Sequence, residues 1–95
     1  MSPSESLAAE LHTFRAVAFA LPLRTWDELP DHTQEQWRRI ADRLPLSLGD
    51  VTGKECFDAW AHDMNATWET QSDAMQFRWK RVALLMRQAA HRAAA

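Results

Sequence analysis

Residues 25–41 read TWDELPDHTQEQWRRIA, and residues 67–83 read TWETQSDAMQFRWKRVA. Aligned at an offset of 42 residues, the two stretches share seven identities. The identical pairs are Thr25/Thr67, Trp26/Trp68, Asp31/Asp73, Gln34/Gln76, Trp37/Trp79, Arg39/Arg81 and Ala41/Ala83. Upstream, at an offset of 43, the residues Phe14, Ala16, Ala18 and Leu21 match Phe57, Ala59, Ala61 and Met64. A segment repeated with its aromatic residues in register predicts a supersecondary unit packed against a copy of itself.

The spacing of apolar residues predicts that these units are helical. Leu7, Leu11, Phe14, Ala18 and Leu21 recur at alternating intervals of four and three, which places them on one side of a helix. Only two Gly and four Pro occur in 95 residues, which is few for a fold rich in β-turns. We therefore predict one all-α domain over residues 1–95, in which tandem duplicated helical hairpins form a compact four- to five-helix domain. The first repeat covers about residues 14–44, the connector residues 45–51, and the second repeat about residues 57–86.

Patterns typical of helix N-termini predict where the helices begin. The stretch Ser2-Pro3-Ser4-Glu5 combines a capping residue, a first-turn Pro and a Glu placed to close a capping box. The helix that starts there is predicted to end at Pro22, because the residue before a proline is disfavoured in helical geometry. The further predicted caps are Thr25 and Thr52, each followed by Glu three positions later, Asp31, and either Ser72 or Asp73.

Two interpretations fit the second half of the chain, because residues 54–95 contain neither Gly nor Pro. One is a single helix of about 40 residues, ~60 Å long at 1.5 Å per residue. The other is a break near residues 65–67, at the place where the first repeat has its loop. Helices of such length are uncommon in small domains, so we favour the break.

The composition gives no indication of an enzyme or a metal site. Cys56 is the only cysteine, so no disulfide forms within the chain and the cytoplasm is the expected compartment. The four His have no metal-ligand spacing, and neither Gly belongs to a phosphate-binding motif. No apolar run reaches the ~20 residues of a membrane span, and the polar N-terminus is unlike a signal peptide. We predict a non-enzymatic cytoplasmic protein without catalytic residues, cofactor, metal or membrane contact.

Charge is divided unevenly along the chain. The net charge is −2, but residues 74–95 contain five Lys or Arg and no Asp or Glu. Basic residues near a helix C-terminus complement the helix dipole, and they also pair with acidic residues of the same molecule. The alternative is a basic surface for an acidic protein or a nucleic acid. The candidate partner-binding residues are Arg78, Lys80, Arg81 and Arg87.

The five Trp are the second candidate feature. Four of them occupy matched positions of the repeat, which predicts that they pack in the core with each indole N–H bonded to a nearby carbonyl. Trp60 differs, because its counterpart in the first repeat is Val17. Trp is enriched at protein–protein contacts, so Trp60 is also a candidate partner-binding residue.

The first Trp pair belongs to the pattern W-x2-L-x7-W-x3-A, formed by Trp26, Leu29, Trp37 and Ala41. This pattern resembles the end of the second helix and the start of the third helix in HMG-box domains. The resemblance covers residues 26–41 and implies a helical turn of that kind. HMG boxes also have a basic, Pro-containing N-terminal arm, whereas this chain begins MSPSES.

A looser resemblance lies in the second repeat. Phe57-Asp58-Ala59-Trp60, followed by a helix that contains Trp79, is similar to small proteins of high-GC bacterial phages. This implies a mobile-element accessory protein, a group that includes inhibitors of host defence that dock on a large host complex. We expect a small protein-binding regulator or inhibitor, monomeric or homodimeric. The alternative is a nucleic-acid-binding helical domain that uses its basic C-terminal helix.

Overall fold

The structure is a computed structural model that describes residues 2–94. Its α-helices are α1 (Pro3–Ala18), α2 (Asp31–Asp42), α3 (Gly53–Trp60) and α4 (Asp73–Ala94), and short 3₁₀ helices precede α2 at Trp26–Glu28 and α4 at Trp68–Thr70. No strand occurs within residues 2–94, so the all-α prediction is confirmed. The helices enclose one core, and the molecule measures 36 × 33 × 23 Å.

Each half of the chain forms a helical pair. α1 packs against α2, α3 packs against α4, and α1 also packs against α4, which joins the pairs. In both halves the 3₁₀ helix is held to the next α-helix by the same bond. Gln34 Nε2 donates to the Trp26 carbonyl at 2.8 Å, and Gln76 Nε2 donates to the Trp68 carbonyl at 2.8 Å. Matched residues thus have matched local structure, while duplication of the whole unit stays a prediction.

The predicted break in the second half of the chain is confirmed. α3 ends at Trp60, and α4 begins only at Asp73. Ser72 caps α4, because its Oγ accepts a hydrogen bond from the backbone N–H of Met75 at 3.2 Å. This bond satisfies one of the N–H groups that the first turn of a helix leaves without an intrahelical partner.

The predicted end of the first helix is wrong. α1 ends at Ala18, well before Pro22. Ala20 adopts a left-handed backbone conformation with φ of 53°, and this turns the chain away from the helix axis. Leu21, predicted on the inner apolar stripe, therefore lies beyond the helix and is 41% exposed.

Two backbone hydrogen bonds explain this early end. The Ala20 N–H donates to the Val17 carbonyl at 3.2 Å, and the Leu21 N–H donates to the Ala16 carbonyl at 2.9 Å. Together they form a Schellman motif, in which glycine usually takes the left-handed position. An alanine there costs about 1–2 kcal/mol in steric strain, so the turn holds a destabilising residue.

Ser2 and Thr52 cap their helices as predicted. Ser2 Oγ accepts from the Glu5 N–H at 3.2 Å. Thr52 Oγ1 accepts from the Glu55 N–H at 3.1 Å, and the Thr52 N–H donates to Glu55 Oε1 at 2.9 Å, which completes a capping box. The Glu5 carboxylate does not close a box of this kind. It accepts instead from the indole N–H of Trp26 at 3.3 Å.

The predicted caps of the first repeat, Thr25 and Asp31, are wrong. Thr25 makes no side-chain hydrogen bond to the turn that follows it. Pro30 occupies the capping position of α2, and Asp31 is the first helical residue. The Asp31 carboxylate still complements the positive end of the helix dipole from that position.

The core contains two of the matched Trp residues. The largest fully buried side chains are those of Trp79, Phe57, Leu11, Met86, Val51, Val82 and Cys56. Trp79 is 1% and Trp37 7% exposed, so their assignment to the core is confirmed, while Trp26 and Trp68 pack half-buried against it. The buried indole N–H of Trp79 has no hydrogen-bond partner within residues 2–94. The predicted carbonyl bond is therefore wrong at this position.

Candidate binding surface

α4 carries an exposed apolar row on its outer side. Phe77 is 66% and Leu84 44% exposed. These residues are two helical turns apart, so at about 100° per residue they lie on nearly the same line along the helix. An exposed apolar patch rimmed by polar residues is typical of an interaction site.

Basic residues surround this row. Arg81 lies between Phe77 and Leu84, and at about 100° per residue Arg78 and Lys80 fall on opposite flanks. All three basic side chains are exposed, and none of them has an ion pair within residues 2–94. We refer to Phe77, Arg78, Lys80, Arg81 and Leu84 as the α4 face.

The fourth predicted basic residue has a structural contact instead. Arg87 is half-buried, and its Nη1 donates to the Val51 carbonyl at 2.8 Å. This bond joins α4 to the connector and satisfies a carbonyl that precedes α3. Arg87 therefore lies apart from the exposed basic residues, and a hydrogen bond to a charged donor of this kind contributes about 1.5–3 kcal/mol.

The backbone of Lys80 fixes α4 against the start of α3. A Cβ on Gly53 would lie 2.8 Å from the Lys80 backbone nitrogen. Only glycine permits so close an approach of two backbones. The Lys80 side chain nevertheless remains exposed, so this packing holds α4 in place without covering its outer face.

The matched positions on α2 have a different chemistry. Glu35 occupies the position that Phe77 has in the second repeat. Its Oε2 lies 3.3 Å from Arg38 Nη1, and its Oε1 lies 3.4 Å from Arg39 Nε. The cations of α2 are thus paired within their own helix, whereas Phe77 leaves the corresponding cations of α4 without an acid.

Trp60 lies at the edge of the core beside a stacked arginine. Its ring is half-buried, with its centroid 5.3 Å from that of Trp79. The guanidinium carbon of Arg15 lies 5.0 Å from the Trp60 ring centroid and 5.3 Å from that of Phe19. Arg78 approaches the same Phe19 ring at 5.6 Å. Trp60 and Arg78, two of the residues predicted from the sequence, are therefore connected through Arg15 and Phe19.

Sequence reasoning missed Arg15. The residues three and four positions away in the sequence include Leu11, Ala18 and Phe19. A cation surrounded by apolar residues at helical spacing is a signal that could have identified it. Its Nε is buried without a hydrogen-bond partner within residues 2–94, and burial lowers the pKa of Arg15 below its usual value.

Arg15 also lines a cleft between α1, α2 and the end of α3. The cleft has a volume of about 410 Å³ and includes Trp37, Ile40 and Trp60 among its walls. Arg43 crosses one side of it, donating to the Ala59 carbonyl at 3.2 Å and to Asp63 Oδ2 at 3.0 Å. The cleft therefore combines an aromatic wall with a guanidinium that has no acidic partner.

The remaining reactive side chains show no catalytic arrangement within the described part of the chain. Burial raises the pKa of the Cys56 thiol to about 12, which keeps the thiol protonated and unreactive. The hydrogen bond from His62, followed by that from Arg43, lowers the pKa of Asp63. Between residues 2 and 94, no group of three His, Cys, Asp or Glu is placed to hold a metal ion. None of the helices described there is both long and apolar enough to span a membrane.

Searches of protein-family models, of curated proteins and of solved structures found no match to this chain.

Proposed function

We propose that this chain is a small non-enzymatic regulator that binds another protein through the α4 face. The observation that carries the proposal is the exposed pair Phe77 and Leu84 with unpaired cations around it. On α2, the matched positions hold Glu35 and its two arginine partners. At these positions α2 therefore pairs its own charges, whereas α4 exposes an apolar side chain beside cations that have no acidic partner.

The chemistry of the α4 face defines the partner it fits. Covering a side chain such as Phe77 or Leu84 contributes about 1.5–3 kcal/mol. The surrounding Arg78, Lys80 and Arg81 favour acidic groups at the rim, which orient the partner and raise the association rate more than the affinity. The partner is therefore a protein surface with an apolar depression and an acidic rim. The similarity of the Phe57–Trp60 segment to phage proteins favours a bacterial host complex, which the chain would inhibit by occupying such a surface.

Retention of a partner from bacterial lysate tests this proposal when two matched variants are compared. Phe77→Ala removes the exposed ring, whereas Glu35→Ala changes the equivalent position of the other repeat. We expect Phe77→Ala to weaken binding about thirtyfold, as for a hot-spot residue, and Glu35→Ala to retain it. Because both side chains are exposed, each variant should keep its free energy of unfolding within ~0.5 kcal/mol.

Equal retention by Phe77→Ala and the unchanged chain would contradict binding through the α4 face. A lysate protein that is lost equally with Glu35→Ala would also contradict it, because the two repeats would then contribute alike. Circular dichroism of each variant establishes that the helices are intact before the binding data are compared.

Nucleic-acid binding is the alternative, and the exposure of Arg78 and Arg81 favours it. These residues are three positions apart, so they share one side of α4 and can reach neighbouring phosphates. Two phosphate contacts give a log–log salt slope of about −2 on duplex DNA. The net charge of −2 opposes DNA elsewhere on the surface.

A short duplex measured at two salt concentrations separates the two functions. Phosphate binding depends on Arg78 and Arg81 and is unaffected by Phe77→Ala, whereas protein binding depends on Phe77. Absence of duplex binding at low salt, where phosphate contacts are strongest, would exclude the alternative.

A further inference from the structure

The cleft beside α1 contains an arginine without an acidic partner. The Arg15 guanidinium is half-buried and stacks on the rings of Phe19 and Trp60 at 5.3 and 5.0 Å. Its Nε has no hydrogen-bond partner within residues 2–94, and no ion pair to Arg15 occurs there. Burial of an unpaired charge is costly, and an anion bound beside the guanidinium would offset this cost.

The ion pairs already present around the cleft limit the charge of an anion that would bind there. Arg43 is already paired with Asp63 at 3.0 Å, and Arg39 is paired with Glu35 at 3.4 Å. Arg15 is therefore the one cation of the described cleft that remains unmatched. A monoanion neutralises it, whereas a dianion would place excess negative charge beside Asp63.

The residues that line the cleft indicate the chemistry of the uncharged part of the ligand. Trp37, Ile40, Trp60 and Met64 supply apolar surface, the polar side chains of Gln36, Arg39 and Arg43 line the rest, and the volume is about 410 Å³. Pockets for small organic ligands measure about 300–1,000 Å³ and combine apolar walls with a few fixed polar groups. A guanidinium presents a planar fork of N–H donors that matches the two oxygens of a carboxylate.

We propose that this cleft binds an apolar monocarboxylate, with Arg15 holding the carboxylate and with Trp37 and Trp60 contacting the body of the ligand. The proposal is independent of protein binding through the α4 face, because Phe77 and Leu84 do not line the cleft. Both a free aromatic acid and the C-terminal residue of a peptide have the required chemistry.

Titration of the ¹⁵N-labelled protein with three matched probes tests the charge and shape of the ligand. The probes are phenylacetate, the neutral phenylacetamide, and phenyl phosphate. We expect phenylacetate to shift the indole N–H signals of Trp37 and Trp60 saturably. Phenylacetamide should bind at least about tenfold more weakly, because it lacks the charge that pairs with Arg15. N-acetylphenylalanine, titrated beside phenylacetate, identifies the source, since tighter binding of the former indicates a peptide C-terminus.

Arg15→Gln tests the residue itself, with the exposed Arg24→Gln as the control of equal charge. Arg15→Gln should weaken phenylacetate binding at least about tenfold, and Arg24→Gln should leave it unchanged. The proposal is overturned by any of three results: no saturable shift with phenylacetate, equal binding of phenylacetamide, or tighter binding of phenyl phosphate. These results require only the unchanged protein, so the test does not depend on the folding of a variant.

Discussion

The two helical pairs share a local structure but differ in how their surfaces are completed. In the first pair, Glu35 of α2 pairs with Arg38 and Arg39. In the second pair, Phe77 replaces this Glu, and the neighbouring Lys80 and Arg81 have no acidic partner in the described chain. The identical pairs Trp37/Trp79 and Ala41/Ala83 lie in the core of both helical pairs, whereas the exposed pair Glu35/Phe77 differs and changes what each surface presents to solvent.

The Trp side chains of the two 3₁₀ helices make different kinds of contact with the rest of the protein. Glu5 accepts from the Trp26 indole at 3.3 Å, and the Arg38 guanidinium lies 5.7 Å from the Trp26 ring. Trp68 instead packs on Phe57 with a centroid distance of 5.8 Å. The same turn is therefore held by charged groups in one repeat and by aromatic packing in the other.

Truncation of the matched core rings should have the largest effect. Trp37→Ala and Trp79→Ala should each lower the free energy of unfolding by about 3–5 kcal/mol, because each removes a buried ring and leaves a cavity. Chemical denaturation measures the loss, and Phe77→Ala is the exposed aromatic control. A loss below about 1 kcal/mol at either site would place that ring outside the core and end the equivalence of the two repeats.

Removal of a threonine hydroxyl should have a smaller effect and should distinguish the two sites at which the sequence predicts a Thr cap. Thr52→Ala should lower the free energy of unfolding by about 1 kcal/mol, because Thr52 Oγ1 accepts from the Glu55 N–H. Thr25→Ala should change it by less than ~0.5 kcal/mol, because this hydroxyl makes no capping bond. Similar losses for the two variants in urea denaturation would show that the Thr25 hydroxyl caps the turn that follows it.

Glycine at the end of α1 should stabilise the protein. Ala20→Gly relieves the left-handed strain and should raise the free energy of unfolding by about 0.5–1 kcal/mol after the added flexibility of the unfolded chain is subtracted. Ala9→Gly, within α1, is the control and should cost about 1 kcal/mol. At the matched end of α3, Asp63 has no positive φ. A lower free energy of unfolding for Ala20→Gly would therefore contradict the conclusion that Ala20 is strained.

The stability contributed by the Glu5 carboxylate, which bonds to Trp26 and Arg38, should be lost at acidic pH. The hydrogen bond from Arg38, followed by that from Trp26, lowers the pKa of Glu5 below its usual 4.5. A carboxyl group whose pKa is lower in the folded protein stabilises it above the unfolded pKa, and this contribution is lost as the pH falls through the folded value. We expect Glu5→Gln to reduce stability at neutral pH and to make the unfolding midpoint less dependent on pH.

Urea midpoints between about pH 6 and about pH 3 measure this dependence. The change in stability should be the smallest of the four stability effects predicted above, because the carboxylate is partly open to solvent and screened by it. Glu10→Gln, an exposed residue of the same helix, is the control. If the urea midpoint of Glu5→Gln changed with pH as that of the unchanged protein does, the Glu5 carboxylate would not be what stabilises the first 3₁₀ helix.

Elements with strong local signals were predictable from the sequence. The capping box at Thr52 and the break before α4 follow from short-range hydrogen bonding and from the repeated Trp pattern. The end of α1 was predicted wrongly, because Pro22 is a visible signal whereas a left-handed alanine leaves none. Asp31 was likewise misassigned, since the choice between Pro30 and Asp31 as the cap depends on how the preceding 3₁₀ helix meets α2.

Tertiary contacts give the predicted binding residues different roles. Helical spacing alone shows that Arg78 and Lys80 lie on different sides of α4. It does not show that Arg87 bonds to the Val51 carbonyl, because that contact joins residues distant in the chain. Arg15 was missed for the same reason, since its stacking partner Trp60 comes from another helix.

The sequence by itself determined that this protein is helical, that a Trp-centred turn occurs twice, and that residues 74–95 contain cations but no acid. These properties depend on hydrogen bonds and spacings within a few residues. The tertiary structure decided which cations are paired, which rings are buried and where Arg15 meets Trp60. Such contacts form between helices, and their energies depend on burial and distance, which exist only after the two helical pairs have packed together.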